Sequence, residues 1–171
     1  MDFILRPFKT YDIDSLVKHG SNPRIAANMT DQFPNPYTLE RAVQFIEFAS
    51  QHTPPNILAI TVHDEVVGGI GIHPQQDVYK KNAELGYWLS ETFWGKGIIT
   101  KAIAQMVEYG FANWPVDRIF ARPFHTNIGS QKALEKAGFV LEGKFEKTIY
   151  KNNDYLDELV YATRRQNQDI S

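Results

Sequence analysis

Three groups of residues in this chain have types and spacings that could do chemistry. The first is Phe93-Trp94-Gly95-Lys96-Gly97-Ile98-Ile99-Thr100, with two glycines one residue apart between a strand-like run and a helix-like run. Glycine lets a backbone come close to a bulky group. The helix that follows turns unpaired N–H groups and its positive dipole end toward the same spot. That arrangement suits a phosphate or pyrophosphate, and it equally reads as a tight turn into a helix. The second group is Asn127-Ile128-Gly129-Ser130, leading to Gly138-Phe139. Ser130 precedes Ala133, Leu134 and Ala137 at helical spacing, so it lies on the apolar stripe of a helix and faces inward. An inward hydroxyl near a helix start could protonate a leaving group, or it could bond back to its own helix. The third is Glu84, which shares a strand face with Gly86 and Trp88 by two-residue alternation. Gly86 leaves room beside it, so the carboxylate reads either as a proton acceptor or as a solvated strand glutamate.

Several familiar chemistries can be set aside. No Gly-x-x-x-x-Gly-Lys-Ser/Thr occurs, so the glycine pair is not a Walker A loop. No third glycine stands at the dinucleotide-binding spacing, and Gly-x-Ser-x-Gly is absent. His19, His52, His63, His73 and His125 show no ligand spacing, so no metal site is expected. The chain has no cysteine, which excludes disulfides, thiolate metal sites and a cysteine nucleophile, and fits a reducing cytoplasm. A net charge of −2 argues against general nucleic-acid or membrane-surface binding. The start, Met1-Asp2-Phe3-Ile4-Leu5-Arg6, lacks the basic region and long apolar run of a signal peptide. The longest apolar stretches, 57–62 and 66–72, are of strand length. The expectation is a soluble cytoplasmic protein in which 171 residues form one domain.

The elements that must position these residues follow from periodicity. Phe3 to Phe8 reads as a first strand and Asp12 to Lys18 as a short helix. Residues 20–37 hold Gly20, Pro23, Pro34 and Pro36 and read as loop or broken helix. Thr38 suits an N-cap for a helix carrying Leu39, Ala42, Val43, Ile46 and Ala49 on one stripe. Ile57–His63 and Val66–His73 read as a hairpin turning at Asp64-Glu65. Ala83–Leu89 alternates as a long strand. A helix with Ile99, Ala102, Ile103, Met106, Val107 and Phe111 on one stripe runs to Trp114-Pro115. Arg118–Pro123 reads as a strand and Asn127–Ala137 as a helix stopped by Gly138. Phe139–Lys147 and Tyr155–Thr163 close the set, and 163–171 reads as a frayed tail. The mixed order predicts one sheet with helices on both faces.

Taken together, Thr92 to Thr100 resembles the acyl-CoA pyrophosphate loop of the GNAT family of N-acetyltransferases. Arg118-Ile119-Phe120-Ala121-Arg122 with Asn127-x-x-Ser130 and Glu135-Lys136-Ala137-Gly138-Phe139 resembles that family's second signature. Ala83-Glu84-Leu85-Gly86-Tyr87-Trp88-Leu89 and Tyr150-Lys151-Asn152-Asn153-Asp154-Tyr155-x-Asp157 are similar to its RimJ/RimL-like branch of ribosomal-protein alanine acetyltransferases. Two positions depart. Thr92 stands where Gln or Arg is common, and Leu134 stands where many relatives carry a tyrosine acid.

The resemblance implies an α/β (α+β) fold with a central mixed, mostly antiparallel sheet of about seven strands and helices on both faces. A bulge at Leu89 would splay its strand from Arg118–Pro123, leaving a cleft for the cofactor's pantetheine arm. It implies an acetyl-CoA-dependent enzyme transferring acetyl directly to a primary amine. Leu89 through its backbone N–H, Ser90, Thr92, Trp94, Gly95, Lys96, Gly97, Ile98, Ile99, Thr100, Asn127, Ser130, Lys132 and Lys136 are the expected acetyl-CoA contacts. Lys96 reads as pointing outward to solvent or to the adenosine phosphate. Glu84 becomes the candidate base and Ser130 the candidate acid, with no metal. Phe33, Tyr37, Trp88 and Tyr155 are the candidate acceptor pocket, with Phe33 and Tyr37 ahead of Trp88, which like Tyr87 reads first as core. The acceptor is a protein N-terminal α-amine as in the branch resembled, or a small-molecule amine such as an aminoglycoside, polyamine or amino acid. A catalytically silent acyl-CoA-binding module stands as the alternative in another class. Family members are often homodimers.

Overall fold

The computed structural model describes residues 1–166. Seven strands make one sheet in the order β1-β2-β3-β4-β5-β7-β6. They are β1 (Ile4–Arg6), β2 (Ile57–Val62), β3 (Glu65–Pro74), β4 (Asn82–Leu89), β5 (Arg118–Ala121), β6 (Val140–Lys151) and β7 (Asp154–Arg164). Only β4 and β5 run parallel; the other neighbours are antiparallel. The helices are α1 (Ile13–Gly20), α2 (Pro23–Ala26), α3 (Leu39–Ala49), α4 (Ile98–Asn113) and α5 (Ile128–Lys136).

β2 shows why the sheet is covered on both faces. All six of its residues are buried, which only a strand with helices above and below can achieve. Leu58, Ile60 and Val62 join a core with Ile98, Ala102, Ile103 and Met106 of α4 and Leu134 of α5. Ile57 and Ala59 face the other way, into a core with Leu16 of α1, Ala42 and Ile46 of α3, and Trp88. Gly110 lets α4 press on the sheet, because a Cβ there would stand 2.4 Å from Ile72 Cδ1.

The expected turns and caps are found with small offsets. Thr38 Oγ1 accepts from the Arg41 N–H at 3.2 Å and starts α3. The β2–β3 hairpin turns at His63 and Asp64, φ 49° and 66°, one residue earlier than the sequence suggested. The strands after α5 reach past Lys147 to a second tight turn at Asn152-Asn153, φ 52° and 63°. Residues 163–165, expected to belong to a frayed tail, are tied to the sheet and to α4. Thr163 and Arg164 pair with β5, and the Arg165 guanidinium donates to the carbonyls of Phe111 and Val116 at 2.8 and 3.0 Å. The remainder of that tail lies outside the described residues.

Candidate active site

The site is built where β4 and β5 part. They pair only at Asn82, Ala83 and Glu84, against Arg118, Ile119 and Phe120. β4 then continues to Leu89 while β5 ends at Ala121. The expected bulge is not the cause. The β3–β4 register runs without a shift from Pro74–Ala83 to Gly68–Leu89, so the gap opens because β5 departs.

The backbone on the edge of that gap has a fixed orientation. In an antiparallel ladder, residues alternate between turning both N–H and C=O toward the neighbouring strand and turning both away. The Gln75 N–H donates to the Asn82 carbonyl at 2.9 Å and the Ser90 N–H to the Val67 carbonyl at 2.7 Å. Even-numbered positions of β4 therefore serve β3, and Leu85, Tyr87 and Leu89 aim their amides into the gap. The Leu89 carbonyl is taken by the Trp94 indole N–H at 2.7 Å.

The glycine loop follows directly. Gly95 and Gly97 have φ of 73° and 74°, a left-handed conformation that costs other residues about 1–2 kcal/mol. A Cβ at either would meet nothing within 4 Å, so the chain itself does not crowd them. Gly97 caps α4 without any side-chain bond. The first N–H groups of α4, at Ile98, Ile99 and Thr100, have no intrahelical acceptor by helix geometry and form a ready anion cradle. No acidic side chain stands in that first turn. The Lys96 ammonium sits over the Phe93 ring, 5.1 Å from its centroid.

α5 supplies the opposite wall. Asn127 Oδ1 caps it by accepting from the Ser130 N–H at 3.2 Å. The Ser130 hydroxyl lies 2.6 Å from the Tyr87 hydroxyl. Burial pushes the Tyr87 phenol up to about 12, with the Ser130 hydrogen bond pulling the other way. A third wall comes from the loop after α1. Asn22 Nδ2 donates to Glu91 Oε2 at 2.8 Å, and Arg24 pairs with the other Glu91 oxygen. This clamp sets Ile25, Asn28 and Met29 over the gap. Together these walls enclose a cavity of about 390 Å³ running from Tyr87, Trp88 and Leu89 past Trp94 and Gly97 to Asn127 and Ser130.

Leu89, Trp94, Gly95, Gly97, Ile98, Ile99, Asn127 and Ser130 therefore converge on one cavity, as the sequence suggested. Ser90 does not take part. Its N–H serves Val67, its carbonyl accepts from Phe93, and its hydroxyl lies 2.9 Å from His19 Nδ1. His19 Nε2 in turn lies 3.1 Å from Glu65, so Ser90 is committed to anchoring the end of β4. Thr92 is exposed, with its hydroxyl 3.2 Å from that of Ser90. Thr100 is partly buried, and Lys96, Lys132 and Lys136 are exposed outside the cavity lining.

Glu84 points to the same face of the sheet as Gly86 and Trp88, and unlike Trp88 it stands outside that lining. Its two oxygens accept from Arg122 Nε and Nη2 at 2.9 and 3.1 Å. Gly86 beside it is exposed and open above. Trp88 is in the core as expected and also borders the cavity, and Phe33 lines a cleft, whereas Tyr37 and Tyr155 depart from expectation. Trp88 lines the cavity and Phe33 packs 5.8 Å from it. Tyr37 is buried in the core against Gly20, because the Ser21 hydroxyl binds both its N–H and its carbonyl at 3.1 Å and folds the loop back onto α1. Tyr155 is exposed at the β6–β7 tip, 5.1 Å from Tyr150. Phe33 instead lines a larger polar cleft of about 1000 Å³, with Arg41, Gln44, Asp31 and Lys151. Sequence reading placed Tyr87 first in the core and missed Ile25, Asn28 and Met29. Tyr87 was accessible by period, since it stands two residues before Leu89 and shares its orientation.

The model of the Acetyltransferase (GNAT) domain family matches residues 2–140. The uncharacterized N-acetyltransferase p20 of Bacillus licheniformis is 31% identical over 142 residues, 81% of this chain and 79% of that protein. The ribosomal-protein-serine acetyltransferase of Escherichia coli is 30% identical over 99 residues, 58% of this chain and 55% of its own length. Among solved structures, the microcin C7 self-immunity acetyltransferase MccE, in complex with acetyl-CoA and AMP, superposes with a TM-score of 0.78 at 25% identity, covering 96% of this chain and 93% of its own.

Proposed function

The chain belongs to the GNAT acetyltransferase domain family and is an N-acetyltransferase; from that premise we propose that it moves the acetyl group of acetyl-CoA directly to the α-amine of a protein N-terminus. The observation that carries this reading is the continuity of one cavity from the cradle at Gly97 to the Leu89 amide at the edge of the gap. The residues fit the cofactor. The free N–H groups of Ile98, Ile99 and Thr100 match a diphosphate, and apolar walls with outward amides match an extended arm joining the sheet like an added strand. When bound, acetyl-CoA supplies an activated acyl thioester.

The chain's own residues divide three tasks. The Leu89 N–H donates toward the carbonyl oxygen where charge develops; a fixed donor of this kind is worth about 3–4 kcal/mol of barrier. Ser130 delivers a proton on the α5 side. Glu84, on the opposite face across open Gly86, receives the amine's proton through water. β5 leaves β4 after Glu84, so in this reading the amine approaches the thioester from the face that carries Glu84, and no covalent enzyme intermediate is required. Asn127 orients the arm while capping α5.

The larger cleft beside Phe33 has the volume and polar walls for the first residues of a peptide. A small amine is the second reading, favoured by the ion pair of Lys151 and Asp31, 2.7 Å, which joins two parts of the lining of that cleft. We assign the reaction to the cytoplasm, where a cysteine-free chain is at home. A thiol-release screen with acetyl-CoA against N-terminal peptides and small amines tests the reading. Turnover confined to peptides supports it, and turnover confined to small amines replaces it with the second. Calorimetric binding of acetyl-CoA with no release on any amine would leave only an acyl-CoA-binding module.

A further inference from the structure

Among the residues lining the 390 Å³ cavity, Tyr87 is the only one with an ionisable side chain. The three tasks above leave it without a role. Its neighbours in the wall are apolar groups, glycines, amides and hydroxyls, so the protons the cavity can supply to a departing group are few. Tyr87 is placed by two independent elements. Its backbone lies on the edge of the gap two residues before Leu89, and its side chain rises on the α4–α5 face against the first turn of α5. That turn is fixed in its own right by the Asn127 cap on the Ser130 N–H.

The two hydroxyls stand 2.6 Å apart, a short separation even for O–H···O. One hydrogen occupies the space between them, so the pair presents one hydrogen to the cavity. The phenol is the more acidic partner and stays protonated across the neutral range, since burial pushes it up to about 12. It can therefore donate but not act as a standing base. With the phenol donating, Ser130 Oγ is polarised and its own hydrogen turns away from Tyr87 toward the cavity.

We propose that Tyr87 and Ser130 form a single proton-delivering unit, in which Tyr87 acts through Ser130 on the thiolate that leaves when the acetyl group departs. The inference rests on the acetyltransferase reading. As the thioester C–S bond breaks, the Ser130 O–H bond breaks and an S–H bond forms. The Tyr87 proton moves to Ser130 Oγ in the same motion. The negative charge comes to rest on the phenolate instead of a serine alkoxide, and solvent reprotonates it. The proton lost by the amine passes through Glu84 to solvent, so protons balance over the cycle. This unit also answers the absence of a tyrosine at position 134, since a phenol reaches the cavity from β4 instead of α5.

The test uses the full chain with acetyl-CoA and an amine that the thiol-release screen has identified. Tyr87→Phe and Ser130→Ala are each expected to lower kcat by about 10- to 100-fold, the lower range for a positioned acid. The KM for acetyl-CoA and the calorimetric affinity for CoA stay within about two-fold, because neither hydroxyl is asked to bind the ground state. The double variant falls no further than the worse single one, as groups acting as a unit do. Replacing Tyr87 by a fluorinated tyrosine keeps the hydroxyl and its packing but lowers the phenol pKa, so the alkaline limb of kcat moves to lower pH. Wild-type kcat in Tyr87→Phe, losses that multiply in the double variant, or an unmoved alkaline limb in the fluorotyrosine protein would each overturn the proposal. Should Tyr87→Phe prove poorly folded, the fluorotyrosine profile decides alone. Wild-type protein that neither binds CoA nor releases thiol defeats the underlying reading instead, and the two failures are told apart by that control.

Discussion

The Arg122 guanidinium grips Glu84 at both carboxylate oxygens, Nε to Oε1 at 2.9 Å and Nη2 to Oε2 at 3.1 Å. It also reaches toward Glu158, whose Oε2 is 3.8 Å from Nη1. The hydrogen bond to Glu84 holds Arg122 above its ordinary range against the opposing effect of burial. The proposed base is thus oriented by a neighbouring cation at the point where β5 leaves β4. Glu84→Gln keeps the shape and is expected to lower kcat/KM by about 100-fold or more. Arg122→Met removes the two hydrogen bonds that orient the Glu84 carboxylate, so kcat/KM is expected to fall by about ten-fold with the carboxylate still present. Steady-state profiles of the two variants check both statements. Full activity of Glu84→Gln across the pH range would remove Glu84 from the chemistry.

Gly97 offers a separate test of the cradle. Its φ of 74° is strained for any residue with a Cβ, although the space around it is open. Gly97→Ala should therefore cost about 1–2 kcal/mol of stability through backbone strain, with no clash inside the protein. Relaxation of the loop toward negative φ would turn the first amides of α4 away from a diphosphate. CoA affinity falls and KM for acetyl-CoA rises, while kcat at saturation changes less. Calorimetry with CoA and thermal unfolding measure the two effects independently, and unchanged affinity beside lowered stability would separate the loop from cofactor binding.

Burial pushes His73 below its ordinary value of 6.5, Glu84 pulls the other way, and His52 adds to the lowering. The unfolded chain therefore binds a proton at His73 at a higher pH than the folded one does. The sign is fixed by that order: stability is full above 6.5 and declines as pH falls from 6.5 toward the lowered folded value. His73→Gln takes this contribution away. Its Tm should decline less than that of the wild type over the same acid window. Parallel Tm–pH curves for the two proteins would show that His73 does not govern the loss.

What could be read from the sequence was whatever local pattern controls. The alternation of Ala83 to Leu89 marks β4 because every second side chain must face the core under α4 and α5. Thr38 and Asn127 announce helices because their side chains cap backbone within three residues. The four-residue α2 was illegible, since a single turn after Pro23 shows no period. Tyr37 went to the core instead of the pocket because its burial is set by where the loop after α1 folds, and that rests on the Ser21 hydroxyl. Ser90 looked like a cofactor contact because the residue that occupies its hydroxyl, His19, is 71 positions away. The departure of β5 was anticipated, but from resemblance, and the bulge assigned to it is not what opens the gap.

Trp94 links the two halves of the site, and its indole bond to the Leu89 carbonyl can be removed with little else changed. The bond is 2.7 Å long and ties the start of the glycine loop to the end of β4. The same ring carries the Arg24 guanidinium, 5.6 Å from its centroid. Trp94→Phe keeps an aromatic face for Arg24 and deletes the N–H. The Leu89 carbonyl then loses its donor, at a cost of about 0.5–1.5 kcal/mol in stability. The larger effect is expected on turnover. The amide N–H of Leu89 and its carbonyl sit on the same edge of β4, so freedom gained by one loosens the aim of the other. A donor displaced from the developing oxyanion loses much of its about 3–4 kcal/mol contribution. The variant should therefore lose kcat by about ten-fold, an amount that exceeds its stability cost when each is read as a free energy. Urea unfolding and saturation kinetics on the same preparation give the comparison. A kcat equal to wild type would mean that β4 alone, held by Ser90 and His19, fixes the Leu89 amide.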